Sequence, residues 1–190
     1  MSTECGDEER RWTLQSRRWL LTVLGVLALG WAGLIVAVPH AAGQHRLGGW
    51  PGAVVAATYL AGGYVCHQQS ARSFHLAGAQ LPVCARCAGL YAAAPWGVLW
   101  VVAGGSRVPR RQALMGSRAS AVRVARAALF VAALPTLVTW ASEQLGFVYP
   151  SNAVRAVAAV PLGLTAAWVL ALALLGALDE EPGHGLIGRA

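Results

Sequence analysis

Three of the four cysteines and two of the five histidines of the chain stand within residues 66–87. The segment opens on Cys66-His67-Gln68-Gln69-Ser70-Ala71-Arg72-Ser73-Phe74-His75 and closes on Leu81-Pro82-Val83-Cys84-Ala85-Arg86-Cys87, followed by Ala88-Gly89-Leu90-Tyr91. Thiols and imidazoles this close together hold a metal or exchange electrons. Cys84 and Cys87 form a short chelate. Two thiolates on such a turn reach one ion at about 2.3 Å and make half of a tetrahedral zinc site. Cys66 and His67 are candidates for the other half, giving a Cys3His set with zinc as the expected ion; His75 is an alternative ligand. The competing chemistry is redox. A Cys-x-x-Cys pair at a helix start, with Arg86 between the thiols, favours the thiolate, and membrane thiol oxidoreductases linked to quinones place such a pair at the end of a span. A second dithiol pair would need the distant Cys5. A third reading is that the cysteines are inert and buried. The sequence leaves metal and disulfide both open.

A second constellation is Trp140, Glu143, Gln144, Ser151, Asn152 and Arg155. Glu143 is the only carboxylate between residues 10 and 178. An acid in a membrane segment costs about 2.5–3.5 kcal/mol at a helix centre, so it needs a partner. Ser151 or Asn152 reads as a helix N-cap, which puts Arg155 in a first turn, where the helix dipole disfavours a cation. Glu143 and Arg155 are therefore expected to pair on the membrane face that carries the cysteines, with Arg72, Arg86 and Asn152 in support. The pair is either structural or the charged floor of a functional site.

The elements that must position these groups are apolar. Of the 190 residues 56% are hydrophobic and 12% charged, about half the charged share of a soluble domain; the mean hydropathy is +0.51. The net charge of +7 comes from arginine, with no lysine in the chain. Those arginines flank apolar runs, and no basic face interleaved with aromatics marks a nucleic-acid surface. The expected partner is the lipid bilayer, with no nucleic acid. Apolar runs extend over residues 19–38, 50–65, 88–103, 122–145 and 153–178. The first, about 20 residues long, suits an uncleaved span rather than a signal peptide. The second is short and glycine-containing, a weaker span. The expected fold is an all-α polytopic transmembrane helical bundle of four to five spans with a Cys-rich loop at one membrane face. Residues 1–17 and 179–190 read as polar, disordered tails, 18–40 as an added N-terminal transmembrane helix, and 50–178 as the membrane core with the Cys loop at 66–87 and an Arg-rich linker at 104–120. Arg107, Arg110 and Arg111 suit a lipid-headgroup anchor; His40, His45 and His184 read as solvated. With five spans the arginines divide almost evenly between the two sides. If the second run does not cross, the tail and linker become cytoplasmic and the Cys loop faces outward.

The string Cys66-His67-Gln68, Arg72-Ser73-Phe74, Gly78, Leu81-Pro82-Val83-Cys84-Ala85-Arg86-Cys87 and Gly89-Leu90-Tyr91 resembles the signature of domain-of-unknown-function family 2085, prokaryotic integral membrane proteins. The resemblance continues through Glu143, Gly146, Asn152, Arg155 and Gly163. Ser70, Ala88 and Thr139 depart from it, Thr139 standing where an aspartate is expected. The resemblance implies a multi-pass protein of the cell (plasma) membrane with a cysteine motif, and no particular activity. A metal-binding membrane protein and a thiol-disulfide oxidoreductase working through Cys84 and Cys87 are the two functional expectations.

Overall fold

The computed structural model describes residues 2–43, 49–104 and 118–175. Among the described residues five helices carry the fold: α1 (Ser2–Ala42), α2 (Gly49–Val65), α3 (Ala85–Gly104), α4 (Arg118–Gln144) and α5 (Asn152–Leu174). Between α2 and α3 lies the Cys loop. It holds a single 3-10 turn (Ser70–Arg72) and a two-stranded hairpin, β1 (His75–Leu76) and β2 (Ala79–Gln80), paired His75 to Gln80 and Leu76 to Ala79. Ala77 and Gly78 turn the hairpin with positive φ of 49° and 83°, the backbone that a two-residue hairpin loop requires.

α3 and α5 form the central pair, and their contact is set by glycine. A Cβ on Gly89 would lie 2.1 Å from the Ala156 carbonyl oxygen, one on Gly97 2.3 Å from that of Leu164, and one on Gly163 2.3 Å from that of Leu90. Backbones approach this closely only where side chains are missing, the packing mode that replaces the hydrophobic effect between helices in lipid. α1 packs along α3. Leu21 meets Val101, Ala171 and Leu172 toward one end. Ile35 joins Cys66, Leu81 and Val83 toward the other, where Trp31 and Tyr91 meet edge to face at 6.0 Å. α4 leans on α5, and the Thr136 hydroxyl donates to the Ala158 carbonyl at 2.8 Å. The outer faces of α1 and α4 expose Leu20, Val26, Leu27, Phe130 and Val131, which suits contact with lipid chains.

Gly89→Ala should be strongly felt, because the added methyl meets backbone rather than a mobile side chain. Overpacking of this kind costs about 1–3 kcal/mol. The loss is expected in unfolding of the detergent-solubilised protein; a G89A variant as stable as the native chain would refute the packing of α3 on α5.

Among the described residues four helices are long and apolar enough to cross a membrane: Gln15–Ala42, Ala85–Ala103, Ala121–Gln144 and Asn152–Leu174. α2, with 17 residues, is not among them and is at the short limit of a span. α1 and α2 also both finish on the Cys loop. A Cβ on Gly43 would lie 2.2 Å from the Ala77 carbonyl oxygen and one on Gly62 2.1 Å from that of Pro82. The expected disordered N-terminal tail is instead helical from Ser2. The last helix ends at Leu174 rather than near residue 178. His45, His184, Arg107, Arg110, Arg111 and most of the 104–120 linker lie outside the described residues.

Candidate functional site

The chain reverses at one end of the bundle where α2 finishes, α3 begins, α4 finishes and α5 begins. Every polar side chain of interest is gathered there. Cys84 occupies the N-cap position of α3, its carbonyl accepting from the Ala88 N–H at 2.9 Å, so Cys87 falls in the first turn. Cys66 follows the last turn of α2 and its N–H donates to Gly62 O at 2.9 Å. Its sulfur accepts the Cys84 N–H at 3.1 Å. The sulfurs of Cys66, Cys84 and Cys87 all lie within 4.8 Å of one another, and all three cysteines are free. A hydrogen bond from the Cys87 thiol holds the Cys84 thiol at about 5, well below its ordinary 9. Burial opposes this, while the N–H groups of Cys87 and Arg86 and a bond with Cys66 assist. An anionic atom at an N-cap is favoured for the same reasons as a capping carboxylate.

Neither histidine is in the sulfur group. His67 is exposed, though it borders the same cavity as the cysteines. The His75 ring lies on the hairpin, 3.2 Å from the Ser70 hydroxyl. The chain itself explains why His67 stays out. Gln68 has a positive φ of 48°, a conformation a non-glycine residue keeps only when its surroundings hold it. Its side-chain amide donates to Tyr59 O at 2.7 Å and Pro82 O at 2.8 Å. Its own carbonyl accepts from Gln80 Nε2 at 2.6 Å, and Tyr59 Oη donates to the Gln80 carbonyl. These bonds tie the segment after α2 that bears Cys66 to the Pro82-Val83 segment that leads into Cys84. Sequence reasoning missed Gln68, Gln80 and Tyr59. The signal for the first was a glutamine directly after Cys-His in an apolar context.

Gln68→Ala is expected to cost about 1–3 kcal/mol, because it removes the donor from two carbonyls at once. The same variant should let the Cys66 and Cys84 segments separate. Intact stability with unchanged thiol reactivity would show that Gln68 does not hold the cluster.

Beside the sulfurs lies a charge cluster. The Glu143 carboxylate, 2% exposed, receives Arg72 Nε at 3.0 Å and Arg155 Nη2 at 2.9 Å on one oxygen. Its other oxygen receives Arg86 Nη2 at 2.9 Å. Arg155 also donates to Asn152 Oδ1 at 2.8 Å, and Asn152 Nδ2 donates to the carbonyl of the buried Ser73 at 3.0 Å. Ser151 caps α5, its hydroxyl accepting the Val154 N–H at 3.3 Å. The Arg72-Ser73-Phe74 triplet thus has three separate tasks. Arg72 reaches Glu143, Ser73 anchors Asn152, and Phe74 packs on the core around Cys66 and Val83. A cavity of about 340 Å³ joins the two clusters; all three cysteines, all three arginines and Trp140 line it.

Four candidate spans carrying a trithiol and an arginine–glutamate cluster at one end define a polytopic α-helical membrane protein with a built polar site. The chain belongs to the family described as predicted membrane protein (DUF2085), whose model matches residues 66–169. No match was found among curated proteins or among solved structures. The matched region begins at Cys66 and contains every cysteine and every charged residue of the site; α1 and α2 precede it.

Proposed function

We propose that this is a multi-pass membrane protein that holds one thiophilic metal ion, zinc, on Cys66, Cys84 and Cys87. The observation that carries the reading is the third sulfur. A dithiol redox pair uses two. Here Cys66 comes from another element, lies within 4.8 Å of both partners, and its sulfur accepts a peptide N–H. Tetrahedral zinc with Zn–S near 2.3 Å sets sulfurs about 3.8 Å apart, so the donor set fits after a small contraction. The three sulfurs leave one tetrahedral position, which His67, adjacent to Cys66 and bordering the cavity, would fill in a closed Cys3His form by turning its exposed ring inward. A water in that place instead would leave an open position, as in catalytic sites. Bound there, the ion supplies Lewis acidity next to three arginines.

The arginine distribution supports an outward-facing site. By chain order alone, four spans would put Arg46 with Arg72, Arg86 and Arg155 on the site side and the remaining 11 of the 15 arginines on the other. The positive-inside rule makes that second face cytoplasmic, in the cell membrane. On an oxidising side, free thiols persist poorly unless a metal protects them.

Metal analysis of the purified protein, with alkylation of Cys66, Cys84 and Cys87 before and after chelation, tests the reading. The expected result is one zinc per chain and thiols that react only after chelation. A metal-free protein with a Cys84–Cys87 disulfide would overturn it in favour of a thiol-disulfide oxidoreductase, the reading that the acidic Cys84 thiol favours.

A further inference from the structure

We propose that the cavity beside the three cysteines binds a single tetrahedral oxyanion of the phosphate class, held by Arg72, Arg86 and Arg155. The site does not require the metal reading. Its first support is charge. Three guanidiniums face one carboxylate, a single thiolate among the cysteines lining the same cavity would still leave them in excess, and no other acidic residue occurs between residues 10 and 178.

The second support is the donors left over. Among the described residues the guanidiniums have only the two Glu143 oxygens and Asn152 Oδ1 as acceptors. The Nε atoms of Arg86 and Arg155 are buried without a hydrogen-bond partner. Arg155 is 8% exposed at its side chain and lines the cavity. Buried donors of this kind normally have an acceptor, and the described residues provide none.

The third support is direction. α3 and α5 both begin at this cavity, with 20 and 23 residues behind their N-termini. Arg86 and Arg155 ride in their first turns, where the dipole repels a cation and attracts an anion. The three arginines come from three different elements, so they approach from three sides. A carboxylate offers two oxygens in one plane, as Glu143 does here, whereas a tetrahedral oxyanion offers three or four spread in three dimensions to donors on different sides. At about 340 Å³ the cavity is at the small end of ligand pockets. Free phosphate, a soluble phosphate ester and the headgroup of an anionic phospholipid all present this group.

Equilibrium dialysis of the full chain with radiolabelled inorganic phosphate, in a maltoside detergent, tests the site. Saturable binding near one phosphate per chain is expected. Sulfate should compete and acetate should not. Arg72→Gln, at a side chain 37% exposed and so tolerated by the fold, should weaken binding roughly tenfold, about 1.4 kcal/mol. Arg126→Gln, on an exposed position of α4, should leave binding unchanged. The same measurement in nanodiscs separates the sources. Loss of phosphate binding in phosphatidylglycerol discs but not phosphatidylcholine discs identifies the headgroup as occupant; equal binding in both identifies a soluble anion. No saturable binding in detergent, or acetate competing as well as sulfate, overturns the proposal whatever the variants do. Zinc content measured in the same dialysis samples separates the two readings: saturable phosphate binding by folded, metal-free protein would keep the anion site while the metal reading fails.

Discussion

Glu143→Gln is expected to lower the stability of the folded protein by about 3–5 kcal/mol, the cost of removing one partner from a buried ion pair. The carboxylate is 2% exposed and holds three arginines that arrive from the Cys loop, α3 and α5. An amide keeps the shape but has no charge and only one acceptor oxygen. Three guanidiniums would then share a site with nothing to neutralise them. Chemical unfolding in neutral detergent measures the change. A loss within about 1 kcal/mol, the range of exposed ion pairs, would mean that water already screens the cluster. Glu143→Asp separates charge from reach, since it keeps the carboxylate and shortens the arm. It should fall between the native chain and Gln.

Cys84→Ser and Cys87→Ser are expected to lose metal and folded yield together. Metal binding at a thiolate site is folding free energy, about 10–16 kcal/mol for structural zinc in small peptides, as large as the whole stability of a typical domain. Cys66→Ser should follow them, because its sulfur stands in the same group. His67→Ala should retain metal but release it faster to a chelator, since the ring lies outside the three-sulfur group. Metal content by mass spectrometry and the monodisperse fraction on gel filtration are the two readouts. Serine variants that fold normally and lose only thiol exchange, from a metal-free native protein, would sink the metal reading.

Composition alone put the chain in a membrane, because 12% charged residues cannot clothe a soluble domain of this size. The cysteine spacing alone announced a chelate or a redox pair, since Cys-x-x-Cys chemistry is local and needs only one turn of backbone. The sole carboxylate of the membrane segments was also bound to need a cation, as a charge in lipid demands one. Each of these conclusions depends on short-range geometry or on totals, which sequence carries completely.

Other features depended on how distant segments meet. That Glu143 collects Arg72 and Arg86 as well as Arg155 follows from glycine contacts such as Gly89 on Ala156, which set the register of α3 against α5. Periodicity marks a helix face but not the depth at which two helices cross. That Cys66 joins the sulfurs while His67 turns away depends on one left-handed residue, Gln68, held by carbonyls 9 and 14 positions away. The number of candidate spans turned on α2, whose apolar sequence resembles a crossing but whose helix of 17 residues is shorter than the four candidates. Sequence by itself determined the solvent, the chemistry and the need for charge compensation, because those are properties of residue types. Only the tertiary structure decided which residues share the site, because that is set by backbone contacts between segments far apart in the chain.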